Sequence, residues 1–241
     1  MSGPILLLGG TGEAREIARR WSGPAPLIAS LAGVTTDPAP YACPVRIGGF
    51  GGIEGLVGFL RSEQVRAVVD ATHPFAVTMS AHATAACEIC DLSRVRFRRR
   101  RWHIPTAKHF DDWATLVAEI PVGARVLLAS GRKMLAPFVA RSDIHVVLRS
   151  VTRPPDLPEH ISWERFVPGA SEADERALLE RQDITHLVTK ESGGPMPGKI
   201  AAATALAVSI FVHKMPNPAP GHAVESVDAA LAWMQRRAQG D

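Results

Sequence analysis

The sequence predicts an α/β protein built on parallel sheets and arranged as two halves. Three observations predict it: the short apolar runs do not alternate with polar residues, a helix-length stretch follows most of them, and a glycine turn joins the first run directly to the first helix. Strands without alternation belong to a sheet covered on both faces, and strand–helix–strand order gives parallel pairing. With 241 residues, 46% hydrophobic and 21% charged, the chain has enough apolar material to close such a core.

Ile5–Leu8, Leu27–Leu31, Val45–Ile47 and Ala67–Asp70 read as strands, with helices over Glu13–Trp21, Ile53–Ser62 and Phe75–Cys90. An arginine-bearing strand follows, in which Val95 and Phe97 face away from the arginines. The texture then repeats. Helix Trp113–Glu119, strand Arg125–Ala129, helix Met134–Ala140 and strand Ile144–Ser150 lead into a Pro-rich link and helix Glu172–Arg181. Strand Thr185–Thr189, helix Lys199–Ala207, strand Ser209–His213 and helix Ser226–Arg237 complete the chain. Pro105 interrupts the pattern, so the expected domains are residues 1–102 and 103–241.

Several classes are excluded early. The apolar stretch Ile200–Val212 lies between Lys199 and Lys214 and falls short of the ~20 residues that span a bilayer. The first residues lack a positive region ahead of their short apolar run, which is not the build of a secretory signal, and a cytoplasmic location is expected. Cys43, Cys87 and Cys90 are an odd set that fits a reducing compartment. Cys87 and Cys90 form a C-x-x-C near a helix end, where the dipole does not favour a thiolate; helix packing is the expected role, and no metal site is expected. No P-loop and no G-x-S-x-G elbow is present. The only tyrosine, Tyr41, has Val45 four residues on, so a Tyr-x-x-x-Lys hydride-transfer pair is absent. No exposed apolar seam is evident, and a monomer is expected.

Formal charge is only +3, yet Arg94, Arg96, Arg98, Arg99, Arg100 and Arg101 bunch together. Such a strand either lies on phosphates or is an edge strand blunted by charge. No recognised nucleic-acid module accompanies it, and no nucleic-acid partner is expected.

The chemistry concentrates where strands end. Gly9, Gly10, Thr11, Gly12 and Glu13 lie between the first strand and first helix, where a pyrophosphate approaches backbone amides and a helix N-terminus. The turn departs from G-x-G-x-x-G/A, since that pattern read from Gly10 ends on Arg15. NAD sites carry an acid at the end of the second strand, but no Asp or Glu stands between Glu16 and Asp37. Ser30, Gly33, Thr35 and Thr36, with Arg46 further on, suit the 2′-phosphate of NADPH instead, and Thr72 after the fourth strand is a further expected cofactor contact. His73, ahead of Pro74, is a site residue or a capping and packing one. In the second half Ser130, Gly131, Arg132 and Lys133, then Lys190, Ser192, Gly193 and Lys199, combine glycines, hydroxyls and cations at strand ends, as anion receptors do.

The set Gly9-Gly10-Thr11-Gly12-Glu13-Ala14, Ser30-Leu31-Ala32-Gly33, Gly48-Gly49-Phe50-Gly51-Gly52, Asp70-Ala71-Thr72-His73-Pro74-Phe75-Ala76 and Thr189-Lys190-Glu191-Ser192-Gly193-Gly194 resembles the precorrin-6A reductase family of cobalamin biosynthesis over nearly the whole chain. Val212-His213-Lys214-Met215-Pro216 departs from the Arg-Pro pair usual there. The resemblance implies two Rossmann-like parallel-sheet domains with a cleft between them, the first for NADPH and the second for substrate. It implies reduction of precorrin-6A to precorrin-6B, with hydride to C19 and a proton to C18. His73 and Lys190 become the expected catalytic residues, beside nicotinamide and tetrapyrrole respectively, and Ser130, Gly131, Arg132, Lys133, Ser192, Gly193 and Lys199 the substrate's contacts. The alternative within the resemblance is a cobalt-precorrin-6A reductase of the anaerobic pathway using NADH.

Overall fold

The computed structural model describes residues 3–33, 39–166, 170–218 and 220–239. They form two compact units, one of residues 1–100 with 216–241, the other of residues 101–215. Each contains one six-stranded parallel sheet with helices on both faces.

The first unit runs β1 (Ile5–Leu8), α1 (Gly12–Arg20), β2 (Leu27–Leu31), β3 (Val45–Ile47), α2 (Gly52–Ser62), β4 (Ala67–Asp70), α3 (Val77–Ile89) and β5 (Ser93–Phe97). In the second unit follow β6 (Lys108–Phe110), α4 (Trp113–Ala118), β7 (Arg125–Leu128), a 3-10 turn (Arg132–Met134), α5 (Ala136–Val139) and β8 (His145–Ser150). It continues through β9 (Ile161–Arg165), α6 (Glu172–Arg181), β10 (His186–Lys190), α7 (Gly198–Ala205) and β11 (Ser209–His213). The chain ends with β12 (Ala223–Val224) and α8 (Val227–Gln239), which belong to the first unit.

The sheets are ordered β12-β5-β4-β1-β2-β3 and β6-β11-β10-β7-β8-β9. The first follows the doubly wound Rossmann order, in which the chain moves outward from a central strand first to one side and then to the other; the second arranges β7 to β11 in the same way, with the unit's first strand, β6, on the edge beside β11. The two central pairs are β1 with β4 and β7 with β10, so each unit has its topological switch point there. Burial explains the unalternating sequence: Ile5 and Leu7 pack under α1 and α8, while Leu6 and Leu8 pack under α2 and α3. In the second unit Val126 and Leu128 face α4 and α5, and Leu127 faces α6 and α7.

Four readings are corrected. Residues 216–241 do not continue the second half, because β12 pairs in parallel with β5 (Ala223 with Arg96) and Ala230, Trp233 and Met234 of α8 complete the core over α1. The arginine run is not a solvated edge: β5 is hydrogen-bonded on both sides, and Arg94 and Arg96 lie buried with Nη1 3.9 and 3.8 Å from the Asp70 carboxylate. Residues 73–76 form a turn closed by Ala76 N–H on the His73 carbonyl, and the third helix starts only at Val77. The helix expected from Met134 to Ala140 is the 3-10 turn plus a single α turn, broken where Pro137 enters.

Among the described residues no helix is long and apolar enough to cross a membrane, and no cluster of three or more His, Cys, Asp or Glu could hold a metal ion. Cys87 is buried, and burial pushes its thiol up to about 12.

Candidate functional site

At the first unit's switch point, β1 delivers the chain into Gly9 and Gly10. Gly10 has φ +103, which an L side chain rarely adopts, and a Cβ there would meet nothing within 4 Å. Thr11 caps α1: its Oγ1 accepts from Ala14 N–H at 3.2 Å and donates to the Ala71 carbonyl at 2.8 Å. One buried hydroxyl thus fixes the helix N-terminus and ties it to the segment leaving β4. Gly12 opens the helix, and Glu13 in its first turn pairs with Arg99 at 2.6 Å.

The neighbouring strand end carries Ser30, whose carbonyl accepts from Gly9 N–H, and Arg46 of β3, whose Nη1 lies 3.5 Å from Ser30 Oγ. Arg46 also donates to the Gly48 and Gly49 carbonyls and stacks 4.0 Å over the Phe50 ring. It therefore holds the glycine loop Gly48–Gly52 while keeping positive charge beside β2. Gly33 has φ +73, and a Cβ there would press on Ile47. Thr35 and Thr36 lie outside the described residues.

Past β4, the buried Asp70 Oδ1 accepts from both Thr72 N–H and Thr72 Oγ1. The next residue, His73, accepts from Phe75 N–H at Nδ1 (3.3 Å), which leaves the neutral ring's proton on Nε2. Gly9, Gly10, Thr11, Gly12, Glu13 and Thr72 are therefore gathered at one switch point, with Ser30 and Arg46 beside them.

In the second unit the equivalent turn is Ser130-Gly131, with Gly131 at φ +78. Among the described residues Ser130 Oγ, itself buried, has no hydrogen-bond partner, and Arg132 and Lys133 stand exposed on the 3-10 turn. Lys190 ends β10 across the switch point; burial lowers its pKa first, and Lys133 lowers it further. His213 ends β11 with its ring 4.8 Å from Trp113, its pKa lowered by burial and by Lys190 against the opposing pull of Phe110, Asp112 and Asp111. Ser192 and Gly193 (φ +65) follow Lys190, and Lys199 sits in the first turn of α7. Lys199 is largely enclosed beside the buried Arg149–Glu175 ion pair; burial first, then Arg149, brings its pKa down to about 8. Arg132, Lys133, Lys190 and Lys199 thus lie at the carboxyl end of this sheet.

Residue reading missed Tyr41, whose hydroxyl reaches Gly10, and Glu191. The buried Glu191 Oε2 accepts from Arg101 Nη1 and from Met215 N–H, each at 2.9 Å, clamping the unit's first and last residues together. Its place after Lys190 was the only local signal.

Two parallel sheets flanked by helices, one with a glycine turn ahead of its first helix and the other with a cationic switch point, define a two-unit protein of the Rossmann-like α/β class. The sequence pattern of the precorrin-6x reductase family, CbiJ/CobK, matches residues 4–235. The chain belongs to that family, a family of oxidoreductases. A protein of Mycobacterium tuberculosis called precorrin-6A reductase is 43% identical over 237 residues, covering 95% of this chain and 96% of its own. A Priestia megaterium protein called cobalt-precorrin-6A reductase is 28% identical, covering 88% and 91%. The solved structure of CobK precorrin-6A reductase superposes with a TM-score of 0.88 at 34% identity, covering 98% and 97%.

Proposed function

We propose that this chain reduces precorrin-6A to precorrin-6B with NADPH, hydride going to C19 and a solvent-derived proton to C18, so that NADPH and one proton are consumed for each NADP⁺ formed. The observation that carries the reading is the first switch point: Gly10 with φ +103 and room beside its Cα, a helix N-terminus fixed by Thr11 to Ala71, and a neighbouring strand end without a carboxylate. These residues fit a dinucleotide. Backbone amides and the α1 terminus suit a pyrophosphate, and Ser30 with Arg46 suits an added 2′-phosphate, whose charge an acid there would repel. The nicotinamide, when bound, supplies the hydride.

What the chain's own residues contribute is orientation and charge. The conjugated macrocycle is already electrophilic, so holding it against the reducing ring accounts for most of the work. Arg132, Lys133, Lys190 and Lys199 pair with its acetate and propionate groups, while Ser130, Gly131, Ser192 and Gly193 offer a hydroxyl and close backbone approach. Lys190, with its lowered pKa, and His73, with its proton on Nε2, are the side chains offered for proton delivery. The metal-free substrate is favoured over its cobalt form because identity to the relative named for the former is 43% against 28% for the latter.

Single-turnover NADPH oxidation with precorrin-6A, compared for the wild type, His73→Ala and Lys190→Ala, tests the assignment. A loss of tenfold or more in rate or affinity is expected for each variant. Unchanged values remove that residue from the site, and turnover of cobalt-loaded substrate alone overturns the choice of macrocycle.

A further inference from the structure

The β1–α1 turn already holds an oxygen. Gly10 N–H donates to the Tyr41 hydroxyl at 2.9 Å, at the turn that leads into the α1 N-terminus. A Cβ built on Gly9 would come within 2.8 Å of that oxygen and 3.3 Å of the ring carbon bearing it. A side chain at Gly9 would therefore press on the tyrosine in this position. The ring is half-buried against the core under α1, so the hydroxyl's place is set by packing as well as by the Gly10 amide. Burial raises the phenol's pKa, which keeps it a neutral hydroxyl at physiological pH.

Amides of a glycine turn at a helix start are donors for one anion. A phenol oxygen that accepts from one of them occupies the position a phosphate oxygen needs. We propose that Tyr41 is the resident acceptor of the nucleotide's phosphate seat, and that a dinucleotide binds by displacing the phenol from Gly10. The inference rests on the NADPH reading of this turn and adds to it a residue that works against binding. The hydroxyl sets the cofactor's affinity by competition, and the ring must shift whenever the seat is filled. It also gives the single tyrosine of the chain a role outside proton transfer.

The test uses the full chain, titrated calorimetrically with NADPH as wild type and as Tyr41→Phe, together with NMR of tyrosine-labelled wild type, in which every tyrosine signal is Tyr41. Removing one neutral hydrogen bond that the ligand must break should tighten NADPH binding about fivefold in the variant. The Tyr41 ring signals should move on saturation. Weaker binding by Tyr41→Phe overturns the proposal, since the hydroxyl then contacts the ligand. Equal binding with unmoved Tyr41 signals overturns it too and leaves the nucleotide reading standing. No NADPH uptake by either protein overturns both. The NMR arm needs only the wild type, so a variant that fails to fold does not spare the proposal.

Discussion

Thr11 Oγ1 donates to the Ala71 carbonyl at 2.8 Å while accepting from Ala14 N–H, so one buried hydroxyl joins the start of α1 to the segment leaving β4. Thr11→Val keeps the shape and removes both bonds. The loss of a cap and of a buried acceptor's partner should cost about 1–2 kcal/mol in urea unfolding. NADPH affinity should fall as well, because the amides at the helix start lose their anchor. Thr11→Ser should restore most of both quantities, and a Thr11→Val protein that binds and unfolds like the wild type refutes the anchoring role.

The relation between Ser30 and Arg46 predicts cofactor preference. Ser30→Asp places a carboxylate at the end of β2 beside a guanidinium now 3.5 Å from Ser30 Oγ. The new charge repels a 2′-phosphate and accepts ribose hydroxyls, so the ratio of kcat/KM for NADPH over NADH should fall by about tenfold or more. Steady-state kinetics with both nucleotides checks it. An unchanged ratio locates the 2′-phosphate elsewhere.

The inner strands were legible because a sheet buried on both faces demands uninterrupted apolar residues, and β1, β2, β4 and β11 lie where the sequence put them, as does the short edge strand β3. The other outer strands were not. β6 and β12 are three and two residues long, too short to show a period, and β9 hides in a Pro-rich link because its exposed side tolerates polar residues. That β12 returns to the first sheet depends on pairing with Arg96 and Phe97, a contact across more than a hundred residues that local pattern does not encode.

The candidate site divides in the same way. Glycines and cations at strand ends could be read in order because a parallel sheet brings its loops to one edge. Contacts made across the fold could not be read: Tyr41 on Gly10, Arg99 on Glu13, and Arg94 and Arg96 on Asp70. The arginine run, ambiguous as a string of charges, resolves once Asp70 is seen to lie beside Arg96 in the register of β4 and β5.

Arg149 and Glu175 form an ion pair with both side chains only 6% exposed, on the side of the second sheet that α6 and α7 cover. Glu175 is the carboxylate set against Lys199 as well. Glu175→Gln leaves the buried guanidinium without its counter-charge and should destabilise the chain by about 3–5 kcal/mol. Arg149→Met with Glu175→Leu removes both charges and should lie much closer to the wild type. Urea unfolding of the three proteins decides the matter: equal losses in single and double variants would mean that packing, not charge, is at stake.

Lys199 ties the stability of the chain to pH and, paired with a substrate carboxylate as proposed, would tie substrate affinity to pH in the opposite direction. Its ordinary pKa of 10.5 is brought to about 8 in the folded chain by burial. Between those values the folded protein has released a proton that the unfolded chain keeps. The unfolded state therefore binds more protons, and this residue's contribution to stability rises with pH across the window. Lys199→Met should accordingly be more stable than the wild type below pH 8, with the difference vanishing towards pH 10.5. A substrate carboxylate paired with Lys199 raises the pKa again, so binding takes up a proton once the free amine has lost its own. The substrate KM of the wild type should rise as pH passes 8, while that of Lys199→Met, higher at neutral pH, should lack this component. Parallel pH profiles of KM and of urea midpoint measure both effects, and identical KM profiles for the two proteins would remove Lys199 from the substrate's contacts.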